Sequence, residues 1–339
     1  MERKYGSEQQ YCTETYLNKN ISKDNLEFWM TQLPEPLKDT PIIYLAIPVF
    51  ISGSHNTMTY TIDQRNDVGP DEPAYIRALG RYCSILSKPI IFKWSITQKD
   101  NIKEQLNGGI RYLDLRVATK TRDNNIYFLH GLYGSEVIKP LKEIVSWLND
   151  HTNEIIIIDF QHFYRFTEVD HGRLIAIIND IFHGKLCPTL AYFNHVSLNW
   201  LTSRKYQVIV IYRNVCAMNH SYLWPSVFWP TPWPNTVRVD QLVNFLNDKL
   251  KNRSTNIGFI SQCLLTPNIS YVIKHLCGDL HSTLTPKCQK ATILWINLQK
   301  SGPKGVNIVI TDFISEQNYL FSKTVIQTNL KLLRNSCNL

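Results

Sequence analysis

Polar side chains that can carry out acid–base chemistry on an anion follow several apolar runs of this chain. His55 and Asn56 come directly after the run 44–50, and Asp114 and Arg116 end the run 110–117. The same arrangement recurs further along, with His130, the stretch 159–162, Arg213 and Asp312. Two histidines offer a general base and a general acid, and two arginines offer fixed positive charge. The set predicts a site where a bound anion undergoes proton transfer.

The apolar runs read as buried strands, which places these polar residues at strand ends. Eight such runs alternate with helical patterns: 44–50, 110–117, 126–130, 154–160, 207–212, 257–261, 292–298 and 306–313. This alternation favours a closed parallel barrel with helices outside, and an open doubly wound sheet is the alternative. Carboxyl ends of barrel strands share one face, so the polar residues are expected to converge there.

Alternation within 110–117 sorts its side chains onto two faces. Arg111, Leu113 and Leu115 share one face, whereas Tyr112, Asp114 and Arg116 share the other. Charges inside a barrel are costly unless a ligand or partner compensates them. Asp114 and Arg116 are therefore expected to point into the lumen, either as a mutual ion pair or toward a ligand.

Composition limits the class of protein. The chain has 339 residues, 44% hydrophobic residues and a formal net charge of +8, which suits a globular domain with an anionic partner. No dense Lys/Arg block indicates nucleic-acid binding. The N-terminus lacks an apolar signal region, no stretch approaches a membrane span, and eight scattered cysteines show no zinc spacing. We expect a cytoplasmic protein with peripheral membrane contact.

Six motifs in fixed order resemble the X domain of phosphatidylinositol-specific phospholipase C. They read GSHNTMTY, GGIRYLDLRV, YFLHGLYG, IIIIDFQHFY, YQVIVIYRN and VNIVITDF. The stand-alone X-domain-containing proteins, which lack pleckstrin, EF-hand, Y and C2 modules, are the most similar subgroup. The resemblance implies a single distorted (β/α)₈ TIM barrel over residues 40–335, preceded by an N-terminal extension over 1–39.

The resemblance also implies a role for each site residue. His55 is expected to be the general base that takes the proton of the inositol 2-hydroxyl, and Asp312 to pair with it. His130 is expected to be the general acid that protonates the departing diacylglycerol oxygen. The products are diacylglycerol and an inositol cyclic phosphate, released from an inositol phospholipid in an anionic membrane surface.

Arg116 determines the expected subclass. Calcium-dependent members have two carboxylates at the end of this strand, whereas bacterial members have an arginine in the second position. The pair here is Asp114 and Arg116, the bacterial pattern, so the expectation is catalysis without a metal or other cofactor.

Three positions depart from the bacterial pattern or lack full support from it. Asn56 is the residue type of the calcium-dependent enzymes, where bacterial enzymes have aspartate. Gln161 stands where bacterial enzymes have a lysine. Arg213 matches an inositol-site arginine by motif, with an internal ion pair as the alternative. All three are expected to contact substrate.

The segment 222–235, YLWPSVFWPTPWPN, holds three tryptophans and four prolines. Its prolines exclude a central strand or a helix. Two interpretations stay open: a loop that inserts aromatic rings into a lipid interface, or the packed wall of the substrate cleft.

Two other functions compete with phospholipid cleavage. The first is a weakly active or inactive lipid-binding or scaffold protein on the same fold, and the intact histidines and Arg116 argue against it. The second is another barrel phosphodiesterase, such as a glycerophosphodiesterase, which needs a metal-binding carboxylate pair in place of Asp114 and Arg116.

Overall fold

The computed structural model describes residues 25–50, 57–121 and 123–335. Within them the strands are β1 (Ile47–Phe50), β2 (Tyr112–Thr119), β3 (Ile126–His130), β4 (Leu132–Glu136), β5 (Ile156–Tyr164), β6 (Val208–Tyr212), β7 (Leu223–Pro225), β8 (Ile260–Gln262) and β9 (Ile308–Thr311). Seven strands form a parallel path in the order β7-β6-β5-β2-β1-β9-β8. The hairpin β3–β4 pairs antiparallel with β2 at the side of this path.

Helices lie between the strands. They are α1 (Glu35–Lys38), α2 (Ala74–Tyr82), α3 (Ser84–Ser95), α4 (Ile102–Asn107), α5 (Ile138–Asp150), α6 (Glu168–Ile181), α7 (Leu198–Ser203), α8 (Val239–Lys251), α9 (Ile269–Lys274), α10 (Leu280–Thr283), α11 (Thr285–Leu298), α12 (Glu316–Thr328) and α13 (Leu330–Asn335). Helix starts follow local chemistry: Asn101 with Glu104, and Thr167 with Asp170, form capping boxes at α4 and α6.

The two ends of the parallel path meet at a seam beside the tryptophan-rich segment. No strand ladder joins β7 to β8 in the described residues; instead, Ile260 N donates to Pro230 O at 3.0 Å. The Gln262 amide adds a hydrogen bond to Thr231 O at 3.0 Å. The barrel is therefore closed by a proline-rich segment that cannot supply a regular ladder, and this is the irregular part of its circumference.

Two apolar cores follow from strand alternation. Outward residues such as Leu113, Leu115 and Phe160 pack under the helices, while inward residues such as Tyr112 and Ile157 fill the lumen. The expected division of the β2 side chains between two faces is confirmed.

The N-terminal segment closes the lower end of the barrel, opposite the carboxyl ends of the strands. Of the predicted extension 1–39, residues 25–39 are described, and Trp29, Met30 and Leu33 are buried in the lumen core. Trp29 Nε1 donates to Gly109 O at 2.8 Å. The chain before β1 thus belongs to the barrel's packing.

Three predicted elements differ from the structure. The run 292–298, predicted as a strand, is the end of α11, because its apolar residues pack on the barrel with helical spacing. The run 126–130 is a strand, but it pairs antiparallel with β2. Six of the eight predicted strands therefore belong to the parallel path, which has seven. The seventh comes from Leu223–Pro225, where a proline at the end of an edge strand costs no ladder bond.

A buried ion pair connects β2 to the N-terminal segment. Arg111 Nε donates to Glu154 Oε2 at 2.9 Å, and both side chains are fully buried. Glu154 also accepts from Thr31 N at 2.8 Å and from Thr31 Oγ1 at 2.6 Å. One carboxylate therefore joins the barrel to the segment that closes it.

Replacing Arg111 with Met should lower the free energy of unfolding by about 3–5 kcal/mol, because Glu154 is left as a buried charge without its cation. The matched control is Arg238→Met, whose partner Asp240 is 59% exposed; it should lower the free energy of unfolding far less, because solvent screens an exposed ion pair. Urea unfolding followed by circular dichroism measures both values. Equal losses in the two variants would contradict this role for Arg111.

Candidate active site

His55 and Asn56 lie outside the described residues, so the site is built from the other predicted members. His130 ends β3, and Arg213 and Asp312 directly follow β6 and β9, whereas Asp114 and Arg116 lie within β2 and Gln161 within β5. The chain resumes after the gap at Thr57, whose backbone N–H donates to Asp114 O at 2.9 Å. Arg116 is close enough to Asp114 and His130 to change their pKa values, and Arg213 to change that of Asp114, whereas the pKa of Asp312 responds to burial alone.

Arg116 is a buried cation without a carboxylate partner among the described residues. Its side chain is 8% exposed, and no described Asp or Glu oxygen lies within 4.0 Å of its guanidinium nitrogens. Nε has no hydrogen-bond partner. Arg116 and Asp114 therefore do not form the ion pair that was one of the two alternatives from the sequence. A buried guanidinium in this state favours an anionic ligand.

A β-bulge explains why Asp114 has a different partner. The register between β2 and β5 shifts after Leu115, so Arg116 lies opposite His162 and Gln161 becomes the extra residue. Gln161 Nε2 then donates to Asp114 Oδ2 at 2.5 Å. Bulges near functional sites commonly redirect a side chain in this way.

Arg213 is anchored by Asp159 from the neighbouring strand. Its Nε donates to Asp159 Oδ1 at 2.9 Å, and one terminal nitrogen donates to Asp159 Oδ2 at 2.6 Å and to Trp229 O at 2.9 Å. Tyr112 OH also donates to Asp159 Oδ2, at 2.5 Å. The internal ion pair expected as the alternative for Arg213 is present, and it holds the guanidinium on the lumen side.

His130 is fixed by one hydrogen bond to the end of α3. Its Nδ1 lies 2.6 Å from Ser95 O, and because a carbonyl only accepts, Nδ1 carries a proton. Burial, and then the charge of Arg116, lower the pKa of His130 to about 3. The ring is therefore neutral at pH 7, with the lone pair on Nε2.

Asp71 holds the turn next to His130. It accepts the Gly131 backbone N–H at 2.7 Å, and Gly131 has a positive φ of 65°. Burial raises the pKa of Asp71, against the opposing effects of the Gly131 hydrogen bond and of Arg116. Sequence reasoning missed Asp71 as a site residue, because the preceding Gly69-Pro70 signals only a turn.

Burial also raises the pKa of other carboxyl groups in the site. The pKa of Asp114 is well above its usual value because of burial, with Arg116 opposing the rise. Burial also raises the pKa of Asp159, and the charge of Arg213 opposes this rise. In the described part of the chain, no three His, Cys, Asp or Glu side chains cluster as a metal site would require.

Asp312 is a buried carboxyl group at the end of β9. It is 2% exposed, and its Oδ1 has no hydrogen-bond partner among the described residues. Burial raises its pKa well above the usual value. Its backbone is held by Gln289, whose amide donates to Asp312 O at 2.7 Å and to Phe313 O at 2.9 Å.

Curated relatives resemble the chain over most of its length. The bovine PI-PLC X domain-containing protein 3 is 38% identical over 312 residues, which cover 91% of this chain and 95% of the relative. The mouse PI-PLC X domain-containing protein 2 is 39% identical over 304 residues, covering 89% and 87%. The chain belongs to the PI-PLC X domain-containing protein family. No protein-family model matches it.

Solved structures show the fold of this family member. Phosphatidylinositol-specific phospholipase C from Listeria monocytogenes has a TM-score of 0.61 and 18% identity, covering 90% of this chain and 98% of that chain. A Staphylococcus aureus phosphatidylinositol-specific phospholipase C, described in connection with modulation of its membrane binding, has a TM-score of 0.58 and 15% identity, covering 89% and 97%. The family member is therefore a distorted TIM barrel, and the predicted fold class is confirmed.

Replacing Asp312 with Asn should preserve or raise the free energy of unfolding at neutral pH. A folded-state pKa above the unfolded value means that the folded state binds more protons. The cost of ionising Asp312 is therefore absent below about pH 4 and grows as the pH rises toward its folded-state pKa. The advantage of Asp312→Asn over wild type should grow across that range in urea unfolding.

The control for this experiment is Asp180→Asn at an exposed position of α6. Because this carboxyl group is in contact with water, its replacement should raise the free energy of unfolding by less than Asp312→Asn does. A loss of more than about 1 kcal/mol for Asp312→Asn at neutral pH would mean that the carboxylate is stabilised in the fold, contrary to its surroundings.

Proposed function

We propose that the chain cleaves inositol phospholipids by phospholipase C-type phosphodiester chemistry. The observation that carries the proposal is the buried Arg116, which has no described carboxylate within 4.0 Å. Its charge contributes to the lowered pKa of His130. A phosphodiester supplies the single negative charge that this guanidinium lacks, and arginine binds phosphate through two parallel N–H bonds.

In the proposed reaction the inositol 2-hydroxyl oxygen attacks phosphorus while His55 takes its proton. The bond from phosphorus to the diacylglycerol oxygen breaks, and His130 donates a proton to that oxygen. The products are diacylglycerol and an inositol cyclic phosphate. Asp312 would hold the tautomer of His55, and its buried Oδ1, which makes no hydrogen bond to a described residue, supports this role.

The acid role of His130 requires substrate binding. A ring with a pKa of about 3 is not protonated at pH 7. A phosphodiester on Arg116 would offset the guanidinium charge that lowers this pKa, and its own negative charge would favour the imidazolium. The Ser95 carbonyl already favours the protonated ring through Nδ1. The general acid would thus become charged when the anion arrives.

Arg116 would take the place of calcium. Asp159 is engaged by Arg213, and Asp114 keeps only Oδ1 without a hydrogen bond to a described residue, which is far short of the six to eight oxygens that Ca²⁺ takes. Asn56 would add a neutral amide. The proposed substrate contacts are Asn56, Gln161 and Arg213, whose Nη1 makes no hydrogen bond to a described residue.

Exposed apolar side chains near the mouth support membrane contact. Helix α2 presents Tyr75, Leu79 and Tyr82 at helical spacing, and Ile85, at 87% exposure, opens α3. Val215, Met218, Val227 and Trp233 are exposed in the segments that follow β6 and β7. No described helix is long and apolar enough to cross a bilayer. We propose that these side chains contact the lipid surface from which the substrate enters.

The tryptophan-rich segment 222–235 has both buried and exposed rings. Trp224 and Trp229 are fully buried, and Trp224 Nε1 donates to Cys187 O at 3.0 Å. Trp233 is 46% exposed. The buried rings support the packed-wall interpretation, and we propose that Trp233 alone belongs to the lipid contact.

Cleavage of phosphatidylinositol vesicles should proceed equally with and without excess EDTA. Arg116→Ala should lower the rate by about 10³-fold or more, because a cation that stabilises transferring phosphate contributes on that scale. His55→Ala and His130→Ala should each lower it by at least about 10²-fold. Released diacylglycerol measures all of these rates.

The control is Arg238→Ala, which removes an exposed arginine and should keep full activity. Chelation that abolishes cleavage, with Ca²⁺ restoring it, would overturn the metal-independent mechanism. An undetectable wild-type rate together with intact vesicle binding would favour the lipid-binding scaffold instead.

Replacing Ile85 and Leu86 with Ser should weaken binding to phosphatidylcholine vesicles by about tenfold or more, since each removes an exposed aliphatic side chain from the proposed contact. The matched control is Leu294→Ser with Leu298→Ser on α11, which are 60% and 81% exposed. Equal effects of the two pairs in vesicle sedimentation would refute a contact through α2 and α3.

A further inference from the structure

A basic cleft of about 740 Å³ lies beside the mouth, outside the candidate active site. We define it by the cations Arg77, Arg81, Lys88, Lys120 and Arg165 and the carboxylates Asp67 and Asp123 in its lining. Helix α2 and the start of α3 form one side, and the residues beyond β2 and β5 form the other. Neither Arg116 nor His130 lines it, so it is a separate compartment.

The cleft holds five cationic residues and two carboxylates. Lys88 Nζ lies 3.9 Å from Asp67 Oδ1, and the Asp67 side chain is 87% exposed. This ion pair is therefore weak. Among the described residues, no carboxylate oxygen lies within 4.0 Å of Arg77, Arg81, Lys120 or Arg165. The resulting excess of three positive charges favours a multiply charged anion.

The contacts of three of these residues include no carboxylate, and one of the three, Arg77, has a buried nitrogen without a partner. Arg77 Nε is buried and has no hydrogen-bond partner. Lys120 Nζ lies 3.9 Å from the Tyr127 ring centroid and 5.0 Å from that of Tyr133. Arg165 has a positive φ of 58°, and its carbonyl accepts from Thr119 Oγ1 at 2.8 Å. Buried or ordered cations of this kind are costly without an anion.

Helix α2 also indicates where the anion comes from. Arg77 and Arg81 face the cleft, while Tyr75, Leu79 and Tyr82 are exposed elsewhere on the same helix. A helix with one apolar and one basic face lies in a membrane interface, with its cations at the level of the headgroups. The apolar face and the cleft therefore fit one bilayer.

We propose that the basic cleft is a second anion site, separate from the Arg116 site, that binds the phosphorylated headgroup of an anionic lipid. The recognised chemistry is a phosphomonoester, which carries more charge than the phosphodiester proposed for the Arg116 site. This binding does not depend on whether the chain cleaves lipid, so a failure of either proposal leaves the other to be tested alone.

Sedimentation with phosphatidylcholine vesicles that contain phosphatidylinositol bisphosphate tests the proposal. The triple variant Arg77→Gln, Arg81→Gln, Lys120→Gln should bind at least about tenfold more weakly than wild type, because each basic residue near an anionic surface contributes to affinity. Vesicles of phosphatidylcholine alone should bind both proteins equally. The thermal unfolding midpoint shows whether the variant is folded.

The matched control removes the same number of charges from the opposite end of the barrel: Lys205→Gln, Lys249→Gln, Lys251→Gln. These positions precede β6 and β8, and at physiological salt their charge is screened beyond about 8 Å. Binding should change by less than about twofold. Equal losses of vesicle affinity in both triple variants would indicate general electrostatic attraction and would overturn the proposed site. Unchanged affinity of the cleft variant would also overturn it.

Two further measurements complete the test. If the triple variant does not fold, the single variant Arg81→Gln, at an exposed position, should still weaken binding several-fold, and unchanged binding would refute the site. Soluble inositol trisphosphate distinguishes the source of the phosphate. If inositol trisphosphate releases the protein from the vesicles, the headgroup phosphates are sufficient for binding. If it does not, but the cleft variant still binds the vesicles more weakly than wild type, the headgroup is bound only within the bilayer.

Discussion

The buried guanidinium of Arg116, without a described carboxylate within 4.0 Å, is the constraint on which the rest of the site depends. Its charge opposes the raised pKa values of Asp71 and Asp114 and contributes to the lowered pKa of His130. A cation in a poorly solvated lumen is costly. The fold accepts that cost where a ligand can offset it, as functional sites commonly do.

The supports around Arg116 are rigid hydrogen-bonded groups. Gln161 holds Asp114, Asp159 holds Arg213, and the Ser95 carbonyl holds His130. Each partner belongs to a different strand or helix from the residue that it holds. The relative positions of the site residues therefore follow from the packing of the whole barrel, which is how a fixed polar environment is prepared before a substrate binds.

The surroundings of the mouth combine apolar and cationic surface. Helices α2 and α3 carry exposed aromatic and aliphatic side chains, and the basic cleft opens beside them. Such a surface differs from the lower end of the barrel, which is closed by the N-terminal segment through Trp29 and the Arg111–Glu154 pair. The two ends of the barrel are thus chemically distinct: one is closed and packed, and the other presents apolar and cationic surface.

The sequence by itself determined the barrel class and the residues at its mouth. Strand alternation put Tyr112, Asp114 and Arg116 on one face, and ordered motifs predicted roles for His55, His130 and Asp312, because strand period and local motif order are properties of the chain alone. Only the tertiary structure decided the partners. The bulge at Gln161, the hold of Asp71 on Gly131, the helical state of 292–298 and the cations of the cleft depend on contacts between residues distant in sequence. No local pattern encodes those contacts.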